Sequence, residues 1–590
     1  MDVVQWLGSN SALITNGVVS FFLVIALGHA ISYFTVYVVT LAKVIRDGEK
    51  SNDFPFRTRL TALLYLVAYI GYNGFVYYIL ITIINWSGIL LLQRPWVGSI
   101  FDREWVRFLY FEPILLIATT WFKIGCASDA WRRSPNNRDV SGLLRAEVSG
   151  KKDGLPAITV VMPIYNEPIE TLMVAVNSVV QAKYPKKRLH LLMAFDDDKL
   201  TLVYKAVIYC LTSGNPNPDY KLLSTAEGQA ELGISNDPKD YPLIGDIKYR
   251  NLIITPCRFE HGGKRHAQMC AFQYLQKHYR QLAVKPLLLF IDSDIELEPT
   301  AMAHFVYDMN RHKGISREAL TGLITCKTAG TYSFYKLIQD SEYIESQMLQ
   351  RNTEDYLGSV SCLPGALTMV RFEALESVAD VYFGEMTAED DFDFNRTHLG
   401  EDRYLTHLLM EKRAGKYRIG FCPAARCKTE GCDSFRSLMK QRRRWYLGTV
   451  TNEIYMLTSP VLWMQFPGLN VLIGLSALKN GPLFVYVFFM EAALGHGTWQ
   501  TIGFAVMIFI PIWLFVSSWA VHINRYKVVF GYPLILLFLP IFSAIFQIYG
   551  MFTFRVRSWG GPRAAAADAN AVIVQPKPTE LAHVRIADAV

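Results

Sequence analysis

The 590-residue chain is 51% hydrophobic and only 19% charged, with a formal net charge of +7 and a mean hydropathy of +0.18. A wholly soluble protein of this length would carry more charge, so that class is excluded. Nine cysteines with no CxxC pair exclude a disulfide scaffold, and eight of them fall in the polar middle of the chain.

The apolar residues collect at the two ends. The first run, Asn16 to Lys43, is long enough to cross a bilayer core of about 30 Å. Leu60 to Leu92 is a second span. Phe108 to Ile124 is a third, or an interfacial helix, since Glu112 and Pro113 interrupt it. Lys43, Arg46, Lys50, Arg57 and Arg59 lie between the first two runs, which puts that loop in the cytosol. Asn85-Trp86-Ser87 is a glycosylation sequon on the outer side, close to the membrane. Toward the C-terminus, Val461 to Leu478, Pro482 to Leu494, Ile502 to Ala520 and Val528 to Phe552 are further spans. Arg525 and Lys527 conflict with the positive-inside rule if all four cross. The division expected is a membrane region at 1–128 with about three spans and a cytosolic domain at 129–450. A second membrane region with about four spans follows at 451–557, then a terminal motif and Ala-rich tail at 558–590.

Within the middle, Ala157 to Met162 is a β-branched, apolar strand leading into Pro163-Ile164-Tyr165-Asn166-Glu167, then a helical pattern through Val180. Leu189 to Phe195 is a second strand, ending in Asp196-Asp197-Asp198. Strand, helix, then strand with acids at its carboxyl tip begins a parallel α/β sheet, whose ligands sit at the carboxyl ends of the strands. Tyr165, Glu167 and Asp196 would therefore line one edge. Tyr165 could lie against a uracil ring, and Asp196 could accept from its imide N–H. Leu252 to Thr255 leads to His261-Gly262-Gly263-Lys264-Arg265, where paired glycines let backbone approach a phosphate. Pro286 to Ile291 is another buried strand, ending in Asp292-Ser293-Asp294. Two carboxylates at a strand end can hold Mg2+ or Mn2+ against a diphosphate.

Leu337 to Tyr343 is helical, and Ser361-Cys362-Leu363-Pro364-Gly365 is a loop able to bring backbone close to an acceptor. Glu389-Asp390-Asp391-Phe392-Asp393 has no preceding strand and reads as a solvated loop. Gly400-Glu401-Asp402-Arg403 opens a helix, Tyr404 to Glu411, with two acids in its first turn. Asp402 is suited to take a proton from an acceptor hydroxyl, with Glu401 the other candidate. Gln441-Arg442-Arg443-Arg444-Trp445 stands where the polar middle meets the apolar end. Its indole offers a face to a pyranose and its guanidinium groups a fork to phosphate, although arginines beside an apolar segment also serve as plain anchors.

Taken together, these motifs resemble the processive family-2 glycosyltransferases, and among them the chitin synthases and their smaller fungal relatives. The resemblance runs from Pro163 to Arg563 and includes Gln339-x-x-Glu342-Tyr343 and Ser558-Trp559-Gly560-Gly561-Pro562-Arg563. It implies a GT-A-type α/β domain on the cytosolic side, inserted between N- and C-terminal transmembrane helices of a multi-pass cell-membrane protein. The implied reaction is inverting, with a UDP-sugar polymerised into a β-linked cell-wall or surface polysaccharide and Mg2+ or Mn2+ as cofactor. The partners implied are the UDP-sugar donor, the growing polysaccharide and the lipid bilayer. An oligomer is compatible, and nucleic acid is not called for.

By the same resemblance, Tyr165, Glu167, Asp196 and Lys264 hold uridine and phosphates. Asp292 and Asp294 bind diphosphate and metal, and Asp402 is the base. Glu342 contributes to substrate binding; Gln441, Arg444 and Trp445 hold pyrophosphate and acceptor, and Trp559 closes over the nucleotide. The chain departs from the family at Gly561-Pro562-Arg563, where Gly-Thr-Arg is usual, and at Trp445-Tyr446-Leu447-Gly448, where Trp-Leu-Asn or Trp-Ile-Asn is common. The donor stays open between UDP-GlcNAc, UDP-glucose and an alternating hyaluronan-type pair. A transporter or membrane scaffold is the non-enzyme alternative, though few ionisable residues fall in the apolar runs beyond Glu112 and Glu491, and no repeat is visible.

Overall fold

The computed structural model describes residues 11–48, 55–87, 111–133, 140, 155–215, 218–311, 316–327, 333–384, 388–412, 417–478 and 498–557. The expected span Pro482 to Leu494, the terminal motif with Trp559, and the tail lie outside these residues.

Three helices come first: α1 (Ser11–Asp47), α2 (Pro55–Ser87) and α3 (Phe111–Arg133). Leu27–Asp47 of α1 is long and apolar enough to span a bilayer. It is joined to α2 by aromatic rings, with Tyr37 stacked on Tyr69 at 4.6 Å. Asn85 falls in the last turn of α2. The carbonyl of Lys123, midway along α3, accepts from Thr353 Oγ1 at 3.2 Å. That contact joins the middle of α3 to the sheet domain.

The sheet domain follows, with β1 (Ile158–Ile164), α4 (Ile169–Val180), β2 (Leu189–Phe195), α5 (Leu202–Thr212), β3 (Ile247–Tyr249) and β4 (Leu252–Arg258). Then come α6 (Lys264–His278), β5 (Leu287–Ile291), β6 (Glu296–Leu297), α7 (Ala301–Arg311), β7 (Ser316–Cys326) and α8 (Phe334–Glu345). β8 (Leu367–Arg371), α9 (Phe372–Gly384), α10 (Glu401–Lys412) and β9 (Tyr417–Thr429) complete it. Among the described residues these strands form one sheet in the order β3-β4-β2-β1-β5-β8-β7-β9-β6. The half containing β4, β2, β1 and β5 is parallel, as expected. Beyond it the sheet is mixed: β8 runs antiparallel to both β5 and β7. All residues of β1 and β5 are buried, because helices cover both faces. The chain builds outward from β1 to β2 and β4, then returns across to β5 on the other side of β1. This reversal opens a crevice at the carboxyl ends of β1 and β5.

After the sheet come α11 (Phe435–Thr458), α12 (Pro467–Leu478), α13 (Thr498–His522) and α14 (Tyr526–Phe552). α13 is long and apolar enough to span. The expected span Val461 to Leu478 is instead two short helices, Pro460–Gln465 and α12. Twelve residues of helix reach only about 18 Å, short of a bilayer core. α14 is bent by 69° between Leu536 and Ile541, and both of its ends are tied to the sheet domain. Arg525, just before it, pairs with buried Asp340 at 3.3 Å and donates to Thr325 Oγ1 at 2.9 Å. At the far end, Thr553 and Val556 carbonyls accept from Arg443 of α11 at 2.7 and 2.6 Å.

Candidate active site

The carboxyl ends of β1, β2 and β5 gather the expected donor residues. Asp196 follows β2 and is 3% exposed. Its Oδ1 accepts from the amides of Gly262 and Gly263 at 2.9 and 3.1 Å, and its Oδ2 from Gly263 N at 3.0 Å and His261 Nδ1 at 3.0 Å. Asp196 thus holds the Gly-Gly turn, and the two amides expected to face a phosphate are directed at it. Gly263 has φ of 87°, a conformation that glycine takes without strain. Burial raises the Asp196 carboxyl above its ordinary range, and the two amides and His261 oppose that. Tyr165 is exposed after β1 and stacks on His261, centroids 4.8 Å apart, making a flat aromatic shelf at the rim. Glu167 is half-buried one turn further on.

Lys264, the first residue of α6, joins the two halves of the site. Its Nζ pairs with Asp292 Oδ1 at 2.7 Å and Glu401 Oε1 at 3.6 Å. Burial works against its charge, yet Asp292 and then Glu401 hold the ammonium well above its ordinary value. Gly365 of the Leu-Pro-Gly loop lies against it; a Cβ there would meet Lys264 Nζ at 2.8 Å. Asp294 is anchored by Thr429 Oγ1 and Glu430 N, which donate to its Oδ2 at 2.9 and 3.3 Å. Asp292 and Asp294 therefore sit on one rim with fixed orientation. They fit a hard cation that takes its remaining oxygens from a diphosphate. Among the described residues no group of three His, Cys, Asp or Glu side chains could hold an ion unaided.

Glu401 and Asp402 open α10. Glu401 is 6% exposed, and its Oε2 is buried without a hydrogen-bond partner. Burial raises its carboxyl above the ordinary value, against the pull of Lys264. Asp402 is half-buried, with Oδ1 accepting from Arg403 N at 2.8 Å and Oδ2 from the Cys362 thiol at 3.3 Å. Both acids line one pocket with Phe290, Leu363, Gly365 and Thr368. The first turn of α10 is held against α11 by two glycines. A Cβ on Gly448 would meet Gly400 Cα at 2.8 Å, and one on Gly400 would run into Asn452 Nδ2. Asn452 Nδ2 donates to the carbonyls of Gly400, Arg396 and Gly448. The glycine at 448 is thus a packing requirement of this crossing.

The three arginines of α11 serve three different neighbours, because successive helical residues point about 100° apart. Arg444 lies near enough to act electrostatically on Glu401 and Lys264. Arg442 pairs with Glu342 and lies over the Trp445 ring at 4.1 Å. Gln441 Oε1 accepts from Arg442 at 2.9 Å, and Trp445 lies 5.9 Å from the Tyr343 ring. Glu342, expected to bind substrate, is paired with Arg442. The acidic string at 389–393 is likewise no solvated loop. Asp390 caps a short helix through the amides of Phe392 and Asp393 and pairs with Lys43 of α1. Asp391 pairs with Arg557 at 2.7 Å, next to the terminal motif. Sequence reasoning missed this clasp because its partners lie 347 and 166 residues away. It also passed over Cys362 and Arg442, whose significance lies in what they touch.

Residues 265–587, more than half of the chain, match the family model described as chitin synthase. Chitin synthase 7 of Verticillium dahliae is 39% identical over 428 residues, which are 70% of this chain and 58% of that protein. Chitin synthase 7 of Pyricularia oryzae is 38% identical over 426 residues, covering 70% of this chain and 49% of the relative. The chain spans about half to three fifths of the length of these curated relatives. Among solved structures, a mannosyltransferase from Pyrobaculum calidifontis in complex with GDP-Man and Mn2+ overlaps 69% of this chain and 98% of its own. Identity there is 15% and the TM-score 0.35, too loose an overlap to say more about this chain. The match over residues 265–587 settles the family: this chain belongs to the chitin synthases.

Proposed function

We propose that the chain is a membrane-bound, inverting glycosyltransferase that adds GlcNAc from UDP-GlcNAc to the end of a growing chitin chain for the fungal cell wall. One observation carries the reading. Lys264 links a donor-side carboxylate, Asp292, to Glu401 beside the candidate base, so donor and acceptor ends would meet around one ammonium. Asp402 would take the proton from the acceptor hydroxyl as that oxygen bonds to the sugar C1 and the C1–O bond to UDP breaks. Lys264 and Arg444 would take up the charge that UDP carries away. Mg2+ or Mn2+, held by Asp292 and Asp294, would neutralise the diphosphate as a leaving group. The unpartnered Glu401 Oε2 offers an acceptor to a sugar hydroxyl, which would explain a buried oxygen left without a donor. Tyr165 and His261 would form the shelf for uracil, and Trp445 the surface for the acceptor sugar. Trp559, only a few residues beyond the Asp391–Arg557 pair, would close over the nucleotide.

The sheet domain would lie on the cytosolic side, where nucleotide sugars are made. With both ends of α14 tied to that domain, the bent helix would enter and leave on the same face, resolving the conflict over Arg525 and Lys527. The test is UDP release and polymer formation by membranes given UDP-GlcNAc or UDP-glucose with Mg2+ or Mn2+. Product digestible by chitinase is expected with UDP-GlcNAc alone; a glucanase-sensitive product from UDP-glucose would refute the donor. Asp402→Asn should bind UDP and make no polymer, and normal activity in that variant would move the base elsewhere.

A further inference from the structure

Three consecutive residues, Ser361, Cys362 and Leu363, each reach the first turns of α10. Arg403 donates to Ser361 Oγ at 3.3 Å, the Cys362 thiol to Asp402 Oδ2 at 3.3 Å, and Leu363 N to Thr406 Oγ1 at 2.9 Å. Thr406 Oγ1 in turn donates to the Asp402 carbonyl at 2.6 Å. The strip is itself fixed from behind. Glu354 accepts from Ser361 N at 2.9 Å and Ser361 Oγ at 3.0 Å, and the Arg351 guanidinium donates to the Cys362 carbonyl. Cys362 is 6% exposed, so water does not compete for its thiol.

We propose that Cys362 is a positioning residue for Asp402, its S–H fixing the plane of the carboxylate that receives the acceptor's proton. The inference rests on the reading of Asp402 as base. A thiol is a weak donor. At 3.3 Å it can orient Oδ2 without stabilising the anion as strongly as a hydroxyl would. Oδ1 is already engaged by Arg403 N, so the Cys362 contact decides how the second oxygen is aimed. The thiol keeps its proton, because burial, and then the neighbouring Asp402, push it up to about 12. The charged and titratable groups around Asp402 are Glu401 and Arg403 on α10, Arg351 behind the strip and Tyr382 on α9. Lys264 of α6 and Arg444 of α11 act on its neighbour Glu401, and Arg265 of α6 acts on Tyr382. Glu354 and Glu453 of α11 act on Arg403, as Cys362 itself does.

The experiment is the pH dependence of kcat for polymer formation from UDP-GlcNAc in Cys362→Ser and Cys362→Ala membranes, with Asp402→Asn alongside. A stronger donor stabilises the carboxylate and a missing donor does not. The acid limb should therefore move down in Ser and up in Ala, by roughly half a pH unit each. The Ala variant should also lose about ten-fold in kcat, with the KM for UDP-GlcNAc unchanged. Superimposed limbs, or limbs that move the same way, overturn the proposal, since a packing role has no reason to split the two variants in opposite directions. Should the Ala variant fail to accumulate, the near-isosteric Ser variant decides: a limb that stays or rises refutes it. Polymer formed by Asp402→Asn would instead remove the base reading itself.

Discussion

Gly448→Ala tests whether the glycine crossing of α10 and α11 holds the site in place. The added Cβ would stand 2.8 Å from Gly400 Cα, 2.9 Å from Gly400 N and 3.0 Å from the Leu399 carbonyl carbon. Carbon atoms in contact rest about 3.5–4.0 Å apart, so the overlap is at least about 0.7 Å. All three obstacles are backbone, and no rotamer change relieves them. The displaced segment is the one that starts α10, whose next two residues are Glu401 and Asp402. Overpacking of this kind costs about 1–3 kcal/mol. A shift near 1 Å in a reacting group can cost on the order of 100-fold in rate. The expected result is a kcat about 10- to 100-fold lower, with a KM for UDP-GlcNAc close to the parent and a lower apparent Tm in detergent. Gly503→Ala, whose Cβ would meet nothing within 4 Å, is the control and should leave kcat unchanged. A Gly448→Ala enzyme with parental kcat would refute the claim that this crossing sets the position of the base.

Breaking the Arg442–Glu342 pair by Arg442→Gln or Glu342→Gln should cost about 3–5 kcal/mol, because each leaves a charge in a largely buried place. The double substitution should cost less than the sum, as thermal denaturation of the purified protein would show. Trp445→Ala should reduce polymer formation more than UDP release from donor hydrolysis, and equal loss of both would argue against an acceptor role. His304 and His407 are buried, and burial lowers them to about 4 and about 3 from an ordinary value near 6.5, helped by Arg426 at His304 and by Arg403 and Arg396 at His407. Above pH 6.5 both states hold neutral imidazole and nothing is lost. As pH falls below 6.5 the unfolded chain binds protons first, so stability drops by about 2 kcal/mol per histidine at pH 5. His407→Gln should flatten the fall of apparent Tm between pH 7 and 5.

The parallel half of the sheet was legible because its strands are buried on both faces and so read as unbroken apolar runs, Val160 to Ile164 and Leu287 to Ile291. The mixed half was not legible: β7 and β9 pair in parallel across about a hundred residues, and nothing local states their register. Asp292, Asp294 and Asp402 could be named in advance because each sits at a strand tip or a helix start. Asp390 was misread because an acid in a loop looks the same whether it meets water or a distant cation. Among the apolar runs, Leu27–Asp47 and α13 have the length and composition of spans. α12 is too short to cross and α14 is bent by 69°, so apolarity alone does not identify a straight crossing.

The sequence by itself determined the class of chemistry, since acids at strand ends, a basic turn and an aromatic-arginine helix depend on residue type and local pattern. Only the tertiary structure decided which of these groups face one another. Lys264 spans Asp292 and Glu401, the three arginines turn to three separate neighbours, and two glycines let α11 press on the corner that carries the base. The physical reason is range: backbone preference and hydrophobic period act over a few residues, whereas ion pairs and close contacts join positions that only the packed chain brings together.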